Sequence, residues 1–92
     1  MTLFAIIQQP GSNSENLGNA VGQAYPESVY NLGNGVWLVS DVATASTVSD
    51  KLGVTEGENG SAIVVEIASY FGRANPAIWT WIKSNWDRPT GG

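Results

Sequence analysis

The chain contains no cysteine and no histidine. Without cysteine there are no disulfides and no thiolate chemistry. Without histidine, the commonest general base and the commonest metal ligand are missing. Zinc sites and serine–histidine triads fall to the same inventory. Cations are scarce as well. Lys51, Arg73, Lys83 and Arg88 stand against eight acids, Glu15, Glu27, Asp41, Asp50, Glu56, Glu58, Glu66 and Asp87, for a net charge of −4. Four scattered cations make no basic stripe for a phosphate backbone, so a lone subunit is not expected to bind nucleic acid. No stretch approaches the roughly 18 apolar residues of a membrane helix, and the first residues lack the basic-then-apolar layout of an export signal. A soluble, cytoplasmic protein is the expectation, with no membrane contact. In that setting Asn59-Gly60-Ser61 is a chance match to a glycosylation sequon.

What is present fits one domain. The chain has 92 residues, of which 42% are hydrophobic, enough for one core. A chain this short buries only about 60–65% of its unfolded surface. Large rings offset part of that shortfall, and the sequence carries four tryptophans, three tyrosines and two phenylalanines. Residues 1–88 read as a single α+β domain and 89–92 as a flexible tail.

Thr2–Gln8 reads as a central strand, because Leu3-Phe4-Ala5-Ile6-Ile7 is apolar on both faces before Pro10-Gly11 stops it. Ser12-Asn13-Ser14 offers caps for a helix whose stripe is Leu17, Ala20, Val21, Ala24 and Tyr25, ended by Pro26. Gly18 and Gly22 weaken that helix and suggest close approach to a sheet. Val29–Leu32 and Val36–Ser40 form a hairpin across Asn34-Gly35, the pair favoured in a type I′ turn. Thr44 caps a second helix with Ala45, Val48 and Leu52 inward and Gly53 as its stop. Ser61–Ile67 is a fourth strand, apolar on both faces apart from Glu66. Tyr70-Phe71-Gly72-Arg73-Ala74 connects to a third helix opened by Asn75-Pro76. There Ile78, Trp79, Ile82 and Trp86 share one stripe with Trp81 beside it. The order β-α-β-β-α-β-α predicts a ferredoxin-like sandwich: a four-stranded antiparallel sheet, two helices on one face, and the third helix free to cover the other.

Three groups of residues are candidate binding sites. Gln8 and Gln9 end the first strand, though two polar residues leaving a strand for a turn also need no function. Tyr70, Phe71 and Arg73 could clamp a ring and hold an anion, or simply finish the core. Trp37, Trp79, Trp81 and Trp86 exceed what a small core absorbs with satisfied indole N–H groups, and tryptophan is enriched at interface hot spots. Trp81 is the best placed of these for outward contact. Gly33-Asn34-Gly35 lies in a hairpin and is no phosphate loop. Asp41 and Asp50 are not forced together by their spacing.

The element order, Phe4-Ala5-Ile6-Ile7 with its polar strand end, and Val36-Trp37-Leu38-Val39 after a turn together resemble the ferredoxin-like small CRISPR-associated endoribonucleases and their uncharacterised toxin-like relatives, over about residues 2–70. The resemblance implies a metal-dependent phosphodiesterase, because in that family a strand-end aspartate helps gather a divalent metal between two subunits. Here Gln8 and Gln9 stand at that strand end, and a neutral amide is a poor ligand for a hard cation. No catalytic residue, metal ligand or cofactor is therefore carried over.

The leading expectation is a non-enzymatic interaction protein, acting as a homodimer or as a module that binds a protein partner. A small acidic protein that binds and blocks a nucleic-acid-handling complex belongs to this class. The alternative is a metal-dependent nuclease of the CRISPR-associated type. A small-ligand sensor using the open sheet face is a third.

Overall fold

A computed structural model describes residues 2–9, 15–69, 72–73 and 75–85. The helix caps expected at Ser12-Asn13-Ser14, the stop at Pro10-Gly11, Tyr70, Phe71, Ala74, Trp86 and the tail lie outside the described residues. Within them the elements run β1 (Thr2–Gln8), α1 (Glu15–Ala24), β2 (Val29–Gly33), β3 (Val36–Asp41), α2 (Ala45–Lys51), β4 (Ala62–Glu66) and α3 (Pro76–Asn85). The strands form one sheet in the order β2-β3-β1-β4, with every neighbouring pair antiparallel. β1 is central, in keeping with its two-sided apolar run.

Local chemistry sets the element ends. The hairpin turn holds Asn34 at φ 55° and Gly35 at φ 79°, the two positive angles that a type I′ turn demands. The Thr44 side chain accepts a hydrogen bond from the Thr47 N–H and caps α2. Gly53 follows α2 at φ 69°, and Asn59 Nδ2 donates to the Leu52 carbonyl at 2.7 Å. That bond satisfies a carbonyl the helix end would otherwise leave open. At α3 the Asn75 side chain accepts from the Ala77 N–H at 2.9 Å, with Pro76 in the first turn where its missing N–H costs nothing.

Strand alternation divides the sheet into two faces. Phe4 and Ile6 of β1 and Val39 of β3 meet Leu17 and Val21 of α1 with Tyr25 just past its end, and Val48 of α2 with Leu52 just past its end. This is the main core, with both helices on one face. The opposite face carries a smaller cluster in which Leu3 and Leu38 meet Ile82 of α3, joined by Ala5, Tyr30, Ile67, Ile78, Trp79 and Trp81. The third helix therefore covers part of the face that the first two leave open.

Two details of the helix expectations change. Ala24 is exposed, so the buried stripe of α1 ends on Val21 and resumes at Tyr25. Among the described residues Gly22 has open space around it, whereas Gly18 faces a neighbour, with Trp37 Cζ2 3.6 Å from the place of a Cβ. Close approach to the sheet thus involves one of the two glycines, at ordinary contact distance.

Candidate interaction surface

Register fixes which side chains share the α3 face. Leu3 pairs with Ser40, Ala5 with Leu38 and Val65, and Ile7 with Val36 and Ile63. Three rows result across β3, β1 and β4. The cluster around Ile82 covers the row containing Leu3 and most of the row containing Ala5. The Ile7 row is left out. Ile7 is 39% exposed, Ile63 61% and Val65 39%. Val36, beside Ile7, is half-buried. The result is a contiguous apolar strip running toward the β4 edge, on a face whose other half is sealed. Leu32 and Val42, also exposed, stand apart at a bulge in β2 and just after β3.

The sequence candidates fall elsewhere. The Gln8 N–H donates to the Gly35 carbonyl at 2.8 Å, and the Gln9 N–H to the Ser61 carbonyl at 2.9 Å. These two backbones fasten the end of β1 to the hairpin on one side and to the start of β4 on the other. Trp37 lies on the helix face, half-buried against the main core and α1. Trp81 is half-buried too. Its ring centre is 6.0 Å from that of Tyr30, at 58°, a tilted aromatic pair. Its side chain thus helps to dock α3. Arg73 is exposed, and its expected companions Tyr70 and Phe71 lie outside the described residues. The structure does not bring Gln8, Trp37 and Trp81 together, because Trp37 and Trp81 pack on opposite faces of the sheet. The signal for the apolar strip was in the sequence: β1 and β4 are apolar on both faces. A single amphipathic helix cannot cover the whole of one face.

One polar cluster joins three elements. Asp41, at the end of β3, accepts hydrogen bonds at Oδ2 from the Tyr25 hydroxyl and from Lys51 Nζ, both at 2.7 Å, and at Oδ1 from the Val42 N–H at 2.6 Å. Lys51 Nζ also lies 5.9 Å from the Tyr25 ring centre. Burial alone raises the pKa of the Asp41 carboxyl. The hydrogen bonds from Lys51, Tyr25 and Val42 and the Lys51 charge outweigh it and hold the carboxyl below its ordinary value. Burial first, then the hydrogen bond and negative charge of Asp41, push the Tyr25 phenol upward. Tyr25 is therefore a neutral donor. The cluster spends its hydrogen bonds on tying the ends of α1 and α2 to β3. Among the described residues no group of three or more acids gathers at a potential metal position. Among them, too, no helix is long and apolar enough to cross a membrane.

No family model, no curated protein and no solved structure matches this chain.

Proposed function

We propose that the chain is a ferredoxin-like sandwich working as a non-enzymatic interaction module, and that it meets its partner with the strip formed by Ile7, Ile63 and Val65. The fold part of this reading is supported by three features: the order β4-β1-β3-β2 with antiparallel neighbours, the β2–β3 hairpin, and α1 and α2 sharing one face. The functional part rests on one observation. Apolar side chains on two adjacent strands stay exposed on a face whose other half has its own helix as a lid. A small domain has few apolar groups to spare for its surface, and contiguous exposed ones mark contact sites. The acidic balance of the chain keeps such a surface from non-selective association.

The test is affinity capture from the native host, comparing the parent chain with Ile63→Lys and Val65→Lys, alongside light scattering of each. Partner or self-association that disappears in both variants supports the reading. Identical captured proteins and identical masses in all three would defeat it, provided that circular dichroism shows the variants folded.

A further inference from the structure

Both sheet edges are formed by short strands, but they differ in kind. The β2 edge is irregular. Its register shifts between Asn31 and Gly33, and the Asn31 side chain accepts from the Gly33 N–H at 2.7 Å. A bulge with polar and glycine residues turns an edge away from further pairing. β4 has no such device. It is regular, free of proline, lysine and bulges, and its single charge is Glu66 at its end.

Hydrogen-bond parity shows which β4 backbone groups face outward. The Ile67 N–H donates to the Leu3 carbonyl, and the Ser61 carbonyl accepts from the Gln9 N–H. Odd-numbered residues of β4 therefore bond inward to β1, in the antiparallel alternation of bonded and non-bonded pairs. The backbone N–H and C=O groups of Ala62, Val64 and Glu66 point the other way. Among the described residues nothing pairs with them.

We propose that a second copy of this chain docks on β4, antiparallel and about a two-fold axis at Val64, making one continuous eight-stranded sheet. The proposal rests on the interaction reading above and names its occupant. Three features favour a like partner. First, the outward groups are self-complementary: Val64 meets Val64 of the other copy, and Ala62 meets its Glu66, each as a hydrogen-bonded pair. Second, the charges avoid one another. In this register the two Glu66 side chains are displaced along the strands by about 14 Å, beyond the roughly 8–10 Å over which salt leaves charges unscreened. Centring the axis on Glu66 would set them face to face, and centring it on Ala62 would shorten the overlap. Third, the register places Ile63 opposite Val65 of the other copy on the face α3 leaves uncovered. The two most edgeward side chains of the exposed strip thus cover each other.

Sedimentation or light scattering across a concentration series is expected to give twice the chain's 9.7 kDa. Ala62→Pro removes an outward N–H without costing an inward bond, a placement proline tolerates on an edge strand. It is expected to return the mass to that of one chain while circular dichroism stays unchanged. The chain has no cysteine, so Val64→Cys provides a clean second test. A bonded antiparallel pair has its Cα atoms about 5.5 Å apart, within the span of a disulfide. Mild oxidation should crosslink Val64→Cys to a dimer and leave Glu27→Cys, at an exposed site, single. Dimers that persist in Ala62→Pro, with no Val64→Cys crosslink but loss in Ile63→Lys, would overturn edge pairing and leave the interaction strip standing. A parent chain of single mass at every concentration would also overturn it, and host capture would then judge the strip alone.

Discussion

The Tyr25 hydroxyl donates to Asp41 Oδ2 at 2.7 Å, from a residue just past the end of α1 to the last residue of β3. That bond spans the layer between helix and sheet, and Lys51 reaches the same oxygen from the end of α2.

Its pH dependence follows from the two shifts. Asp41 is held below its unfolded value, so it stabilises the fold above about pH 4, and this contribution is lost as pH falls through its lower folded pKa. Tyr25 is raised, so its contribution is complete below about pH 10 and is lost above it, as the unfolded phenol ionises and the folded one does not. Urea titrations of the parent should show both losses. Asp41→Asn should remove the acid one, and Tyr25→Phe the alkaline one attached to this residue. At pH 7 Tyr25→Phe is expected to cost about 1–2 kcal/mol, the worth of a part-buried hydrogen bond to a charge. Lys51→Met should cost less, because the ammonium is half in solvent.

The glycines separate by what surrounds them. Gly18→Ala and Gly22→Ala are expected to stabilise the chain by about 0.5–1 kcal/mol each. Alanine is the better helix former, and neither new Cβ would meet an atom closer than 3.6 Å. Gly53→Ala should destabilise it by about 1–2 kcal/mol. Its backbone is left-handed, and its Cβ would fall 2.5 Å from Asn59 Nδ2, the atom that closes α2. Urea midpoints of the three variants check the signs.

Among the described residues, the cluster that docks helix α3 has Leu3, Leu38 and Ile82 as its buried members. Ile82→Ala is expected to cost about 2–4 kcal/mol at that site. The loss should appear first as local undocking. Hydrogen exchange in α3 should rise well before exchange in β1 or α1, and a hydrophobic dye should bind the newly bared face.

Ser40 is 2% exposed on the α3 side, between Leu3 and Ser28, and among the described residues its Oγ has no hydrogen-bond partner. A buried hydroxyl without a partner opposes folding. Ser40→Ala should therefore be neutral or stabilising by up to about 1 kcal/mol, read from the same urea midpoints.

Much of the architecture could be read locally. β1 has the same bounds in sequence and structure, because a five-residue apolar run between polar ends has little choice. Asn34-Gly35 announced its turn, and Thr44 and Gly53 bracketed α2, since caps and positive φ act over a few residues. The candidate site was less legible. Gln8 and Gln9 drew notice as a strand end, yet their main-chain groups fasten neighbouring strands. Trp81 stood out as a surplus ring, yet it packs on Tyr30. Ile7, Ile63 and Val65 belong to strands that are apolar on both faces, and no local feature separates their covered positions from the uncovered ones.

By itself the sequence determined the order of elements, their turns and caps, and the absence of thiol and imidazole chemistry, since these depend on neighbours along the chain. Only the tertiary structure decided which strands became edges and how far α3 reached across its face. Strand order and register bring together residues more than fifty positions apart, as with Ile7 and Ile63. An apolar residue carries no mark telling whether a distant segment will cover it.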